Sequence, residues 1–246
     1  EINAIIFIIS GSIPFIAYIK YLNGDKKIFY KDSQISFFLK TIIISVFIIF
    51  IFLLLNNINS ETFLFREVIF NVVSILTGTG YVTTNYSDWG GFPLIFFLIL
   101  MFIGGCAGST TCGIRMFRFQ VLASSANAQL IRLLRPHSIV LPHYNEKPVP
   151  DNVTNAVMGF FFIYILAFAI TASSLSILGL DFETSISGAA TAISNVGPGL
   201  GEQIGPSGNF STLPFLAKWV LCAAMILGRL ELYTILILFT PNFWKY

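Results

Sequence analysis

Long apolar runs separated by short polar connections dominate the 246 residues. Five runs are candidates to cross a bilayer: Ile2–Ile19, Ile35–Leu55, Phe92 to about Leu130, Val153–Leu178 and Thr212–Thr240. A crossing helix needs about 20 apolar residues. The third run is too long for one helix and is interrupted by Gly104, Gly105, Gly108 and Gly113. Two shorter helical patterns lie in the connections. In 63–76, Val68, Ile69, Val72, Val73 and Leu76 form an apolar stripe, with Arg66, Glu67 and Asn71 off it. In 183–194, a run of small residues from Ser185 to Ala192 suits close helix packing within a membrane. Neither is long enough to span. They read either as helices lying on the membrane surface or as re-entrant half-helices.

Composition narrows the class. The chain is 55% hydrophobic and 11% charged, with a mean hydropathy of +0.80. A soluble domain carries roughly 25% charged residues, so 12 acids and 14 bases cannot cover a water-soluble globule of this size. A net charge of +2 excludes nucleic acid as a partner. The chain therefore reads as an all-α polytopic membrane protein, with lipid as its surroundings. It does not begin with Met, and no basic region precedes Ile2–Ile19, so that run does not read as a signal peptide and the chain reads as part of a longer one. Lys20, Lys26, Lys27, Lys31 and Lys40 flank one connection, and Arg115, Arg118, Arg132, Arg135 and Lys147 lie in or near another. Both should be cytoplasmic. The connections 56–91 and 179–211 carry six acids against Arg66 and should face outward. Trp89, Trp219, Trp244 and Tyr246 read as interfacial anchors.

An internal repeat sharpens the choice for the short helices. Leu76-Thr77-Gly78-Thr79-Gly80 aligns with Ile193-Ser194-Asn195-Val196-Gly197. Phe92-Pro93 aligns with Leu213-Pro214, and Met101-Phe102-Ile103-Gly104 with Met225-Ile226-Leu227-Gly228. Each unit reads as span, short helix, glycine-containing loop, span, which favours re-entrant filter loops at a common interface. Thr77, Gly78, Thr79 and Gly80, and Ser194, Asn195, Val196 and Gly197, offer backbone carbonyls rather than charges. Carbonyl oxygens replace the hydration shell of a monovalent cation in the known Thr-Val-Gly-Tyr-Gly filter. The preceding helix adds the partial negative charge of its C-terminus.

Several residues carry two readings. Arg229 falls near the middle of the last run, where an arginine costs at least ~2.5 kcal/mol and is by default functional. The alternative is a structural salt bridge, to Glu231 or to another span. The Gly104–Gly113 stretch is either a break that can move or a glycine-rich packing face, which Gly104–Gly108 and Gly105–Ser109 would also satisfy. His137 and His143 read as loop residues, and Tyr81 and Tyr233 as packing. An intramembrane enzyme needs a nucleophile with a base, or paired acids, at membrane depth, and the sequence supplies neither.

The strings Phe70-Asn71-Val72-Val73-Ser74, Met101 to Thr110, Ser194 to Leu200 and Gly228 to Thr234 identify a resemblance over essentially the whole chain. It resembles the C-terminal half of a TrkH-type potassium uptake protein, in the Trk/Ktr/HKT superfamily. The resemblance implies four span–pore-helix–span units around one pore in a bacterial inner membrane. Residues 1–34 would hold the last span of a preceding unit plus a cytoplasmic loop, 35–130 the third unit, 131–150 a cytoplasmic connection and 151–246 the fourth. Gly80 and Gly197 would be filter glycines, with potassium at Thr77–Gly80 and Ser194–Gly197. In the family the third loop commonly reads Thr-Thr-Gly, so Gly78 is a departure that could make this strand more mobile. Gly104, Gly105, Gly108, Ser109 and Gly113 would form an intramembrane loop under the filter, and Arg229 a positive charge raising the barrier there. A homodimer and a cytosolic nucleotide-binding regulatory subunit of the TrkA type are further implications. The chain itself should bind no cofactor, with potassium as substrate. A sodium or mixed monovalent cation transporter of the same superfamily is the alternative.

Overall fold

The computed structural model describes residues 1–56, 64–136, 138, 140–145, 147–230, 232–238 and 240–245. Asn59 and Glu61, in the connection expected to face outward, lie outside the described residues, as do His137, Glu231 and Tyr246. The elements in chain order are α1 (Ile2–Gly11), α2 (Phe15–Leu22), α3 (Ile28–Lys31), α4 (Ser33–Leu55), α5 (Leu64–Thr77), α6 (Gly91–Ile103), α7 (Met116–Leu134), α8 (Asp151–Ile177), α9 (Phe182–Ser194), α10 (Gly201–Ile204), α11 (Phe215–Arg229) and α12 (Leu232–Leu238). A two-residue hairpin, β1 (His143–Tyr144) with β2 (Lys147–Pro148), interrupts the helical pattern between α7 and α8. Tyr144 of β1 packs edge-on against Phe117 of α7, with ring centroids 4.9 Å apart.

Helices α4 and α8 are long and apolar enough to cross a membrane, with mean hydropathies of 2.9 and 2.1. Large apolar side chains such as Ile43, Phe47 and Ile51 on α4, and Phe162, Ile165 and Ile170 on α8, face outward and exposed. A helix apolar all round belongs in lipid. Asp32 starts α4 as an N-cap, accepting from the Gln34 N–H at 2.9 Å.

Two similar units follow. In the first, α5 packs between α4 and α6; in the second, α9 packs between α8 and α11. The units meet where α6 packs on α9. Each has its own core, the first around Phe38, Ile49, Val72, Ile75 and Phe97, the second around Phe160, Ala189, Ile193 and Leu221. The short helices are buried among the spans, with Phe70–Thr77 of α5 and Ser187–Ser194 of α9 all inaccessible. That burial excludes helices resting on the membrane surface.

The second helix of each unit is broken. The third apolar run divides into α6 and α7 with non-helical backbone at 104–115. The last run divides after Arg229, where α11 ends. The first run is also broken: α1 and α2 meet at 90° across Ser12–Pro14, so Ile2–Ile19 is not one straight span. Pro14 lacks an N–H and its fixed φ starts a new helix at Phe15. Trp89 is a second difference from expectation. It is 5% exposed and stacks near Phe97, as a core residue rather than an interfacial anchor.

Candidate ion path

Helices α5 and α9 end in the same way. The Gly78 N–H donates to the Ile75 carbonyl at 3.1 Å and the Thr79 N–H to the Ser74 carbonyl at 2.9 Å. In α9, Asn195 N–H donates to Ala192 at 3.2 Å and Val196 N–H to Thr191 at 3.0 Å. This paired bonding is the Schellman stop, which needs a left-handed residue just past the helix. Gly78 supplies it at φ +71° and Asn195 at φ +54°. Asn is the other residue that tolerates this conformation, so Gly78 and Asn195 perform one task in the two units. The bonds also hold Gly78 in place, so the glycine serves as a helix stop rather than a source of looseness.

The residues that follow the two stops lie against each other. A Cβ built on Gly80 would run into the Val196 carbonyl oxygen, and one on Gly197 would lie 3.7 Å from the Gly80 Cα. One on Gly78 would lie 3.6 Å from the Asn195 carbonyl oxygen. The structure thus brings Thr77–Gly80 and Ser194–Gly197 together. Among the described hydrogen bonds, none is accepted by a carbonyl of these eight residues. Their side chains are tied off elsewhere. Thr77 Oγ1 donates to the Val73 carbonyl at 2.8 Å and pairs with Thr79 Oγ1 at 2.9 Å. Ser194 Oγ pairs with the buried Tyr164 hydroxyl at 2.7 Å. The Gly197 N–H donates to Thr191 Oγ1 at 2.8 Å, and Asn195 Nδ2 to the Met225 carbonyl at 3.1 Å.

Four residues support these segments in ways that the residue pattern does not show. Asn71 is not off the buried face but fully buried. Its Nδ2 donates to Thr83 Oγ1 at 3.2 Å and Thr84 Oγ1 at 3.0 Å, and its Oδ1 accepts from the Thr83 N–H at 3.3 Å. It clamps the chain leaving Gly80. Tyr86, also fully buried, donates to the Gly199 carbonyl at 3.1 Å and joins the two units; burial raises its pKa far above the usual phenol value. Gly228 lets α11 close on the end of α9, since a Cβ there would strike the Ile193 carbonyl. Asp181 caps α9, accepting from the Thr184 N–H at 3.0 Å. Hydrogen bonds from the Thr184 side chain and backbone hold its carboxyl below the ordinary carboxylate value.

The glycine stretch is a folded segment and not a packing face of a helix. Gly104 takes φ +73° at the end of α6, and a Cβ there would meet the Cys112 carbonyl. One on Gly105 would lie 2.7 Å from the Thr111 side chain, and one on Gly113 3.2 Å from the Gly104 Cα. The segment closes on itself: Ile114 and Arg115 N–H donate to Phe102 and Ile103, and Ser109 Oγ to the Cys106 carbonyl at 2.6 Å. It is also bonded to the α1–α2 bend. Cys106 N–H donates to Ser12 at 3.1 Å, Thr110 N–H to Gly11 at 3.3 Å, and Phe15 N–H to Gly108 at 3.0 Å. The buried Gln34 Oε1 accepts from the Ala107 N–H at 2.6 Å.

Arg229 completes this junction. It ends α11 with an exposed side chain, not one buried within a continuous span. Its Nη1 donates to Cys112 Sγ at 2.7 Å and approaches the Thr110 carbonyl at 3.4 Å. The three helix breaks, at Ser12–Pro14, 104–115 and Arg229, therefore converge. Arg115, Arg118, Phe160 and Tyr164 line the same crevice as Arg229 and Cys112, with the Arg118 guanidinium 3.8 Å from the Phe160 ring centroid. The exposed His143 stands apart in the hairpin, and Tyr81, directly after Gly80, is exposed rather than a packing residue. Among the described residues, no cluster of three His, Cys, Asp or Glu could hold a metal ion.

These features define a helical membrane protein built from repeated units, each with a short buried helix between two longer segments. The family described as cation transport protein, TrkH, matches residues 1–246, and the chain belongs to that family. It is 43% identical over 240 residues to the Trk system potassium uptake protein TrkI of Halomonas elongata, covering 98% of this chain and 49% of that one. It is 32% identical over 246 residues to TrkH of Escherichia coli K12, covering 99% and 50%. The crystal structure of the potassium transporter TrkH from Vibrio parahaemolyticus superposes with a TM-score of 0.91 at 32% identity, over 98% of this chain and 52% of that one. The chain spans about half the length of the relatives it matches.

Proposed function

We propose that this chain is the C-terminal half of a pore-forming potassium uptake protein and contributes two of its four filter segments. The observation that carries the proposal is the pair of adjoining segments, 77–80 and 194–197, whose carbonyls have no protein donor among the described hydrogen bonds. Carbonyl oxygens without donors suit a desolvated monovalent cation. Potassium is favoured over sodium because the relatives above are named potassium uptake proteins. The chain acts as a transporter and not as an enzyme. In this reading the 104–113 segment and Arg229 lie on the cytosolic side of the filter and restrain ion flow. The units run 35–130 and 151–246, joined by a cytoplasmic connection over 131–150, in a bacterial inner membrane. The whole protein forms a homodimer and answers to a cytosolic nucleotide-binding subunit.

The test is cation uptake by the full-length protein reconstituted in liposomes. Potassium and rubidium should enter down their gradients, and sodium much more slowly. Equal entry of sodium and potassium would favour the mixed-cation alternative, and absence of any flux from correctly inserted protein would overturn the proposal.

A further inference from the structure

Between α2, α3 and α4 lies an open groove that no transport role accounts for; lined by Tyr21, Lys26, Phe29, Ser36, Lys40 and Ile43, it has a volume of ≈ 620 Å³. Ser36, Leu39, Lys40 and Ile43 share one face of α4, at the i, i+3, i+4, i+7 spacing. Tyr21 and Phe29 form the opposite wall, with ring centroids 5.5 Å apart. The wall is apolar and aromatic, and Lys26 and Lys40 supply its positive charge.

Lys40 is the telling residue. It is the one charged residue in α4. Counting back about 20 residues from Leu55, the length needed to cross the hydrocarbon, reaches Ser36. Lys40 therefore enters the apolar layer by about 6 Å at 1.5 Å per residue. Helical side chains lean towards the N-terminus, which for α4 is the end that the basic residues mark as cytoplasmic. The butyl stem can lie along the apolar face while the ammonium returns to the headgroup level. Among the described residues neither the Lys40 nor the Lys26 ammonium has a hydrogen-bond or ion-pair partner. Basic pockets between spans on the cytoplasmic side suit anionic headgroups.

We infer that this groove binds an anionic phospholipid of the inner leaflet, with its phosphodiester between Lys26 and Lys40 and an acyl chain along Leu39, Ile43 and the exposed Phe47. The charge of the rim and the apolar run beneath it match the two halves of that molecule. The inference rests on the membrane-spanning class and on the orientation read from the basic residues, not on the filter.

The experiment is native mass spectrometry of the full-length, delipidated protein titrated with phosphatidylglycerol and, separately, with phosphatidylcholine of the same acyl chains. Phosphatidylglycerol should be retained preferentially. Lys26→Gln and Lys40→Gln should each weaken its retention roughly fivefold and leave phosphatidylcholine unchanged. Lys20→Gln and Lys27→Gln, on the same connection but outside the groove, should have little effect. Equal losses from all four variants would indicate general surface charge and overturn the site. So would unchanged retention in the Lys26→Gln/Lys40→Gln double variant. A photo-cross-linker at Tyr30 in native membranes should yield lipid adducts; adducts solely with polypeptide would show that another part of the protein fills the groove, and the lipid inference would fall. Cation flux serves as a folding control, so a variant that conducts normally but has lost the lipid still supports the site.

Discussion

The Tyr86 hydroxyl donates to the Gly199 carbonyl at 3.1 Å and joins the chain that follows one filter-like segment to the chain that follows the other. Both residues are buried, and the Tyr86 ring also packs on Phe97, with centroids 4.6 Å apart. Tyr86→Phe keeps the ring and leaves the Gly199 carbonyl without its donor. A buried unsatisfied group costs about 1–3 kcal/mol. The variant should melt at a lower temperature when followed by size-exclusion after heating. If its stability is unchanged, the bond does not tie the units together.

Asp181 gives a pH dependence with a definite sign. Its carboxylate caps α9 and is held below the ordinary carboxylate value by hydrogen bonds from Thr184. A group with a depressed folded pKa stabilises the fold above its unfolded pKa, and the gain is lost as pH falls through the folded value. Stability should therefore drop in that acidic window, and Asp181→Asn should flatten the drop because a neutral amide still caps but does not titrate. Asp181→Ala should cost about 1 kcal/mol at neutral pH. Thermal unfolding of the three proteins across acidic pH checks both points; an identical pH profile for Asp181→Asn would remove Asp181 as the cause.

Much of this arrangement is readable from the residues because it is repeated. The aligned Gly80 and Gly197 mark both loops, and the aligned Met-x-x-Gly lies close to both breaks. What the sequence hid lies where chemistry substitutes for identity. The repeat pairs Asn195 with Gly78, but residue type alone does not show that both take the left-handed conformation. Asn71 looks like the polar edge of an apolar stripe because its partners, Thr83 and Thr84, come from a loop twelve or more residues on. Trp89 resembles an interfacial anchor by type, yet the turn of 86–89 folds it inward onto Phe97. The bend at Ser12–Pro14 was signalled by Pro14 but masked by the apolar residues on either side.

Gly80 and Gly197 occupy matching positions and should not tolerate the same change. A side chain at Gly80 would strike the Val196 carbonyl, whereas one at Gly197 meets its nearest described neighbour at an ordinary 3.7 Å. Both have positive φ, at +76° and +120°, which an alanine resists. Gly80→Ala should therefore displace Val196 and sharply reduce potassium over sodium selectivity. Gly197→Ala should keep more of it. Paired potassium and sodium flux from the full-length variants decides the order, and equal effects would show that backbone strain, not the contact between the two loops, limits these positions.

Arg229 separates two physical effects that a single substitution would blur. As a charge, it repels a passing cation. At about 6 Å the repulsion is about 3 kcal/mol for an effective dielectric of 20, and under 1 kcal/mol if the surroundings are as polar as water. Removing it should then speed conduction by a factor between about three and a hundred. As a tether, it holds the 104–115 segment through Cys112 Sγ at 2.7 Å and the Thr110 carbonyl at 3.4 Å. Arg229→Ala abolishes both effects, whereas Arg229→Lys keeps the charge but ends in a compact ammonium on a shorter stem, which does not reproduce the position of Nη1 from which both contacts are made. If repulsion dominates, the lysine variant should conduct like the parent and the alanine variant faster. If the tether dominates, both should conduct faster, and Cys112→Ala, which leaves the charge in place, should follow them part of the way. Rubidium uptake by liposomes containing each full-length variant distinguishes the cases. A fall in uptake for well-inserted Arg229→Ala protein would mean that Arg229 supports the open path rather than restraining it.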